Sequence, residues 1–134
     1  MKRISLFYWL TTGLLSVAML GSGLGDVALA APIVENMQHL GFPVALVPFL
    51  GVLKILGVLT ILLVPREHLR VGAYAGFLFY SLGAVAVHVG AHDPVAAALP
   101  ALVLLLLTVA SYWLWTKRLA QPTTSPDTAT PALA

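Results

Sequence analysis

Four long apolar stretches separated by short polar links make up most of the chain. They run from about Leu6 to Leu29, from Val44 to Val64, from Val71 to Gly90, and from Val95 or Leu99 to Trp115. A helix needs roughly 20 mainly apolar residues to cross about 30 Å of hydrocarbon, so the pattern predicts an all-α fold, a four-helix transmembrane bundle. Short links put consecutive helices side by side and antiparallel, in up-down-up-down order. Prolines mark the boundaries. Pro65 has no amide hydrogen to continue the second stretch, while Pro43 and Pro48 fall in or just before its first turn, where a missing donor costs least. Asp93 is placed to cap the fourth stretch, which Pro94 opens. After Lys117 and Arg118 the sequence turns to Gln121-Pro-Thr-Thr-Ser-Pro-Asp and Thr-Ala-Thr-Pro, which lacks apolar periodicity. Residues 119–134 are therefore predicted to form a disordered tail after a transmembrane domain at 1–118.

Composition sharpens this picture. Sixty per cent of the residues are hydrophobic and 9% charged, where a soluble domain carries about a quarter charged residues. The expected partner of most of the surface is thus the lipid bilayer. The chain has no cysteine, which excludes disulfides, thiol redox chemistry and thiolate-bound metal within it. Its net charge of +2 is not gathered into a groove or stripe, and no nucleic acid is expected as a partner.

The placement of charge predicts orientation. Lys2 and Arg3 precede the first span, Arg66 and Arg70 separate the second from the third, and Lys117 and Arg118 follow the fourth. All six lie on one side of a four-span topology, and lysine and arginine are retained in the cytoplasm during insertion. Both termini are therefore expected to be cytoplasmic, with the chain in the inner, or plasma, membrane. Tyr8, Trp9, Tyr112, Trp113 and Trp115 fall at the same inner level, as an interfacial belt would. A competing reading takes Lys2-Arg3, the first stretch and Ala28-Leu29-Ala30 before Ala31 as a secretory signal with its cleavage site. Against it, the stretch exceeds the roughly 7–15 residues of a signal core and carries Asp26.

Charged groups within the spans are where chemistry is expected, because each costs at least ~2.5–3.5 kcal/mol at bilayer depth. Lys54 lies mid-span between Gly51 and Gly57, which leave room for a neighbouring helix. Asp26 follows Gly21 and Gly25, read as a small-residue contact face, and lies at a depth from which it can neutralise Lys54. Tyr74, Ser81 and His88 recur every seven residues on one face of the third span, with Phe77 and Ala84 between them. Gly76, Gly83 and Gly90 form a second, small-residue stripe. These positions predict a polar pocket in the outward half of the bundle, lined by Asp26, Lys54, Ser81, His88 and Asp93, with Glu35, His39 and His92 nearby. The bland alternative is a structural Lys54–Asp26 pair with interfacial histidines. A metal or haem on His88 and His92 is disfavoured because no third ligand is well placed.

Tyr8-Trp9-Leu-Thr-Thr-Gly13, His39-Leu-Gly-Phe-Pro43, Leu50-Gly-Val-Leu-Lys54-Ile-Leu-Gly57, Ala73-Tyr-Ala-Gly-Phe77, His92-Asp-Pro94 and Ala97-Ala-Leu-Pro100 together resemble the DoxX-like family of bacterial membrane proteins, over about residues 6 to 116. The resemblance implies a four-helix membrane protein with a recurrent lysine, here Lys54, and downstream His and Asp-Pro features, here His88 and Asp93-Pro94. Relatives in the wider group include a subunit of a thiosulfate to quinone oxidoreductase and a component associated with oxidative-stress enzymes. The expected function is that of an accessory or ligand-binding subunit of a membrane redox or stress-related complex, not an enzyme on its own. Its partners would be redox-enzyme subunits or further copies of the chain. No cofactor is predicted, with a quinone as the candidate ligand. The alternatives are a quinone-linked oxidoreductase, in which Lys54 and His88 would hydrogen-bond the quinone, and a small transporter or channel.

Overall fold

The computed structural model describes residues 2–121, so the predicted tail from residue 122 onward lies outside the described residues. Five helices follow one another: α1 Lys2–Val27, α2 Ala31–His39, α3 Leu46–Leu63, α4 Glu67–Gly90 and α5 Val95–Leu119. All but α2 are long and apolar enough to cross a membrane. They form a closed ring in which α1 packs on α3 and α5, and α4 packs on the same two helices from the opposite side. This is the predicted antiparallel bundle. Its outer surface is lined with large apolar side chains such as Leu14, Val17, Leu63, Phe79 and Leu106, and they give it an apolar exterior suited to lipid.

The two ends of the bundle differ. At the basic end, where α1 and α4 begin and α3 and α5 finish, Tyr8, Leu15, Met19, Val58, Ile61, Tyr74, Phe77 and Trp115 form a close-packed core. Lipid is as apolar as leucine, so packing contacts and interhelical hydrogen bonds hold such a core, not the expulsion of water. The Ser111 hydroxyl of α5 supplies two of those bonds, to Thr12 of α1 at 2.6 Å and to Tyr74 of α4 at 2.8 Å. Tyr8 and Trp115, expected in an interfacial belt, are buried in this core, whereas Trp9, Tyr112 and Trp113 do face outward. The reason is helical phase: Tyr8 falls on the same face of α1 as Thr12, Leu15 and Met19.

Close helix approach depends on glycines that only partly match expectation. A Cβ on Gly51 would lie 2.6 Å from the carbonyl oxygen of Gly23, and one on Gly57 would lie 2.6 Å from the Phe77 ring. The glycines flanking Lys54 therefore seat α1 and α4 against α3, as their position predicts. The α1 partner is Gly23, however, not Gly21, which has no neighbour within 4 Å. Gly25 instead admits the side chain of Ile33 from α2. The stripe of Gly76, Gly83 and Gly90 meets nothing within 4 Å, and all three are exposed.

The opposite end carries α2, a helix too short to stand out as a span-length apolar stretch. Three turns there share one geometry. After α1, α2 and α4 the chain closes with a pair of backbone bonds around a residue of positive φ: Leu29 at 52°, Gly41 at 82° and His92 at 58°. This is the Schellman arrangement, in which a left-handed residue satisfies the last helical carbonyls. Glycine suits it, while leucine and histidine adopt it against their intrinsic preference.

Candidate functional site

The α2 half of the bundle is hollow. A cavity of about 710 Å³ lies there, mainly apolar in its lining and within the range of small-molecule sites. Every helix contributes to its wall: Ser22 and Asp26 from α1, Asn36 and Met37 from α2, Leu50 and Lys54 from α3, Tyr80 and His88 from α4, and Ala101 and Leu104 from α5.

Lys54 and Asp26 form the central polar feature. Nζ of Lys54 donates to Oδ2 of Asp26 at 2.7 Å, and both side chains are 6% exposed. The Gly23–Gly51 crossing brings the two helices together one turn from each residue. Nζ also sits 4.6 Å from the centroid of the Tyr80 ring, whose negative face attracts a cation. The lysine is thus met by charge from α1 and by an aromatic face from α4. Deep burial of the pair is costly in desolvation and is recovered only with good geometry, which the short bond and the ring supply.

A second polar cluster stands at the α2 end. Asp93 accepts from Nδ1 of His88 at 2.7 Å through Oδ2 and from Nε2 of His39 at 2.7 Å through Oδ1. The turn at His92 makes this possible, because the amide of Asp93 bonds back to the carbonyl of His88 and folds the carboxylate over that residue's ring. His39, at the end of α2, reaches the same carboxylate from 54 positions away. The bonds from His39 and then from His88 hold the Asp93 carboxyl below the ordinary value of 3.8.

The site residues expected from sequence divide into three groups. Asp26 and Lys54 pair and line the cavity, and His88 lines it too. Asp93 does not line the cavity but holds His88 in place. Ser81 is fully buried on the predicted face of α4, yet it does not line the cavity, and its hydroxyl has no hydrogen-bond partner. Of the nearby residues, Glu35 is exposed, and His92 is turned to the Val89 carbonyl, away from His88. Among the described residues no three His, Cys, Asp or Glu side chains are placed to share a metal ion. Sequence reasoning missed Tyr80, Ser22 and Asn36 as wall residues. Tyr80 adjoins Ser81, and its aromatic ring opposite an intramembrane lysine was the available signal.

A ring of spans around a half-hollow interior, with an ion pair in its wall, defines a multi-pass membrane protein with an internal polar site. The chain belongs to the DoxX-like family, whose model matches residues 10–111 and so takes in parts of all four spans. Comparison with curated proteins and with solved structures gave no match.

Proposed function

We propose that this protein is a ligand-binding accessory subunit of a redox or stress-related complex in the plasma membrane, and that its cavity holds a neutral lipophilic molecule with a hydrogen-bonding head, of the quinone type. One observation carries this reading: the Lys54–Asp26 pair stands in the wall of a mainly apolar cavity rather than sealed in packed side chains. The pair is neutral as a unit. A charged ligand would bring an uncompensated charge into a low-dielectric space, at a cost that a neutral one avoids. The ammonium can donate to a carbonyl and the carboxylate can accept from a hydroxyl, so the two forms of a quinone head each find a partner. The apolar remainder of the wall suits a ring and tail. The basic residues gathered at the end opposite α2 favour an orientation with both termini in the cytoplasm and the cavity in the outward half.

The test is photolabelling of purified protein in lipid nanodiscs with an azido-quinone, followed by peptide mapping. Labelled peptides from α3 and α4, protected by excess short-chain quinone and lost in Lys54→Met, are the expected result. Equal labelling of wild type and Lys54→Met, or no protection by quinone, would overturn the reading.

A further inference from the structure

We propose that the cavity is loaded sideways from the lipid, through the seam between α3 and α4, and that α2 is a latched roof excluding water-soluble molecules. This inference rests on the reading of the cavity as a ligand site and adds where the ligand comes from.

The seam follows from helical phase. Leu46, Leu50, Lys54 and Gly57 recur at spacings of four, four and three, and so share one face of α3. Gly57 touches Phe77 and Lys54 meets Tyr80, so that face looks at α4. Toward the basic end the Phe77 ring fills the seam against Gly57. Toward the α2 end the same two faces line the cavity instead, through Leu46 and Leu50 on one side and Phe79, Gly83 and Val87 on the other. This is also the least extensive of the four contacts around the ring. Phe79 and Gly83 decide the point. Both line the cavity, yet Phe79 is 70% exposed on the outer surface and nothing lies within 4 Å of where Gly83 would carry a Cβ. Residues that belong to both the inner wall and the lipid-facing surface mark an opening between them.

The roof is α2. Its Pro32, Ile33, Asn36 and Met37 face the cavity, and the helix packs only lightly on α1. It is bounded by the positive-φ residues Leu29 and Gly41. Its far end is fastened by His39 to Asp93, which His88 holds from below. No other side-chain hydrogen bond joins α2 to α4 or α5 among the described residues. A small helix tied into the chain at both ends and latched across the bundle by a single carboxylate closes the watery side while the lipid side stays open.

The cysteine-free sequence allows a direct test. Ala101→Cys places one thiol in the cavity wall on α5, and Ala97→Cys gives a second, independent position. Each variant, folded by its melting midpoint, is reconstituted in liposomes and treated with lipid-soluble pyrene maleimide or with a sulfonated, membrane-impermeant maleimide on both faces. The pyrene reagent should react several-fold faster. Adding Gly83→Trp should slow it several-fold, while Gly76→Trp, equally unobstructed but away from the cavity, should not. Adding Asp93→Asn should speed the sulfonated reagent several-fold and leave the pyrene reagent unchanged. Equal rates for the two reagents on the parent variants, or no effect of Gly83→Trp, would overturn the proposal. No ligand is needed here, so failure of this test leaves the binding reading intact and is distinguishable from failure of quinone labelling.

Discussion

Gly51 of α3 lies so close to Gly23 of α1 that a methyl group on the first would meet the second's carbonyl oxygen at 2.6 Å. The obstacle is backbone, which cannot rotate away, so α1 and α3 would have to separate. Gly51→Ala is expected to destabilise the bundle by about 1–3 kcal/mol. Gly76→Ala, facing open space, should leave stability unchanged or raise it by up to about 1 kcal/mol. Unfolding of both variants by added sodium dodecyl sulfate in mixed micelles, followed by circular dichroism, checks the contrast.

The ion pair makes a prediction of non-additivity. Lys54→Met or Asp26→Asn alone strands one charge in the bundle interior, and each should cost about 3–5 kcal/mol. The double variant Lys54→Met with Asp26→Asn strands neither and should be closer to wild type than either single change. A double-mutant cycle on unfolding free energies measures the coupling. Two single losses that simply add would show that the charges do not interact.

Ser111 joins α1 to α4 by accepting or donating in two buried hydrogen bonds. Ser111→Ala removes both and leaves the Thr12 and Tyr74 hydroxyls buried, at an expected cost of about 1–3 kcal/mol. Tyr74→Phe removes one bond and its own hydroxyl together, so it should cost less. The order of the two melting midpoints decides.

Asp93 gives a pH dependence whose sign is fixed. Its carboxyl is held below 3.8 in the folded protein by His39 and then His88, so the unfolded chain takes up the proton first as acid is added. The stabilisation is present above the ordinary carboxylate value and is lost as pH falls through the lower folded one. Melting midpoints should therefore fall more steeply below about pH 4 in wild type than in Asp93→Asn. Parallel acid limbs for the two proteins would contradict the latch.

The sequence made the spans legible because twenty apolar residues in a row have few other uses, and it made the Lys54–Asp26 pairing legible because depth along a span can be counted. The heptad face of Tyr74, Ser81 and His88 was equally readable and is buried as a unit. What escaped was anything set by rotation of one helix against another. Spacing marked Gly21 and Gly25 as a contact pair, whereas the crossing angle selected Gly23 between them. It marked Gly76, Gly83 and Gly90 as a small-residue stripe, yet no neighbouring helix approaches any of them within 4 Å. The helix α2 is too short for a span-length window, although Ile33, Met37 and Leu40 recur with helical period. The meeting of His39 with Asp93 depends on how two distant loops close over the bundle, and no local pattern encodes it.

The neutral pair also bears on biogenesis. Asp26 lies on α1, which is synthesised before the α3 that carries Lys54. A lone lysine entering hydrocarbon costs about 2.5–3.5 kcal/mol, but here its counter-charge is already waiting in α1. The spans α1 and α3 are thus expected to partition into the bilayer as a hairpin. Without Asp26, the nascent α3 would linger in the translocon or slip toward the surface, and the fault would arise before any fold exists to be destabilised.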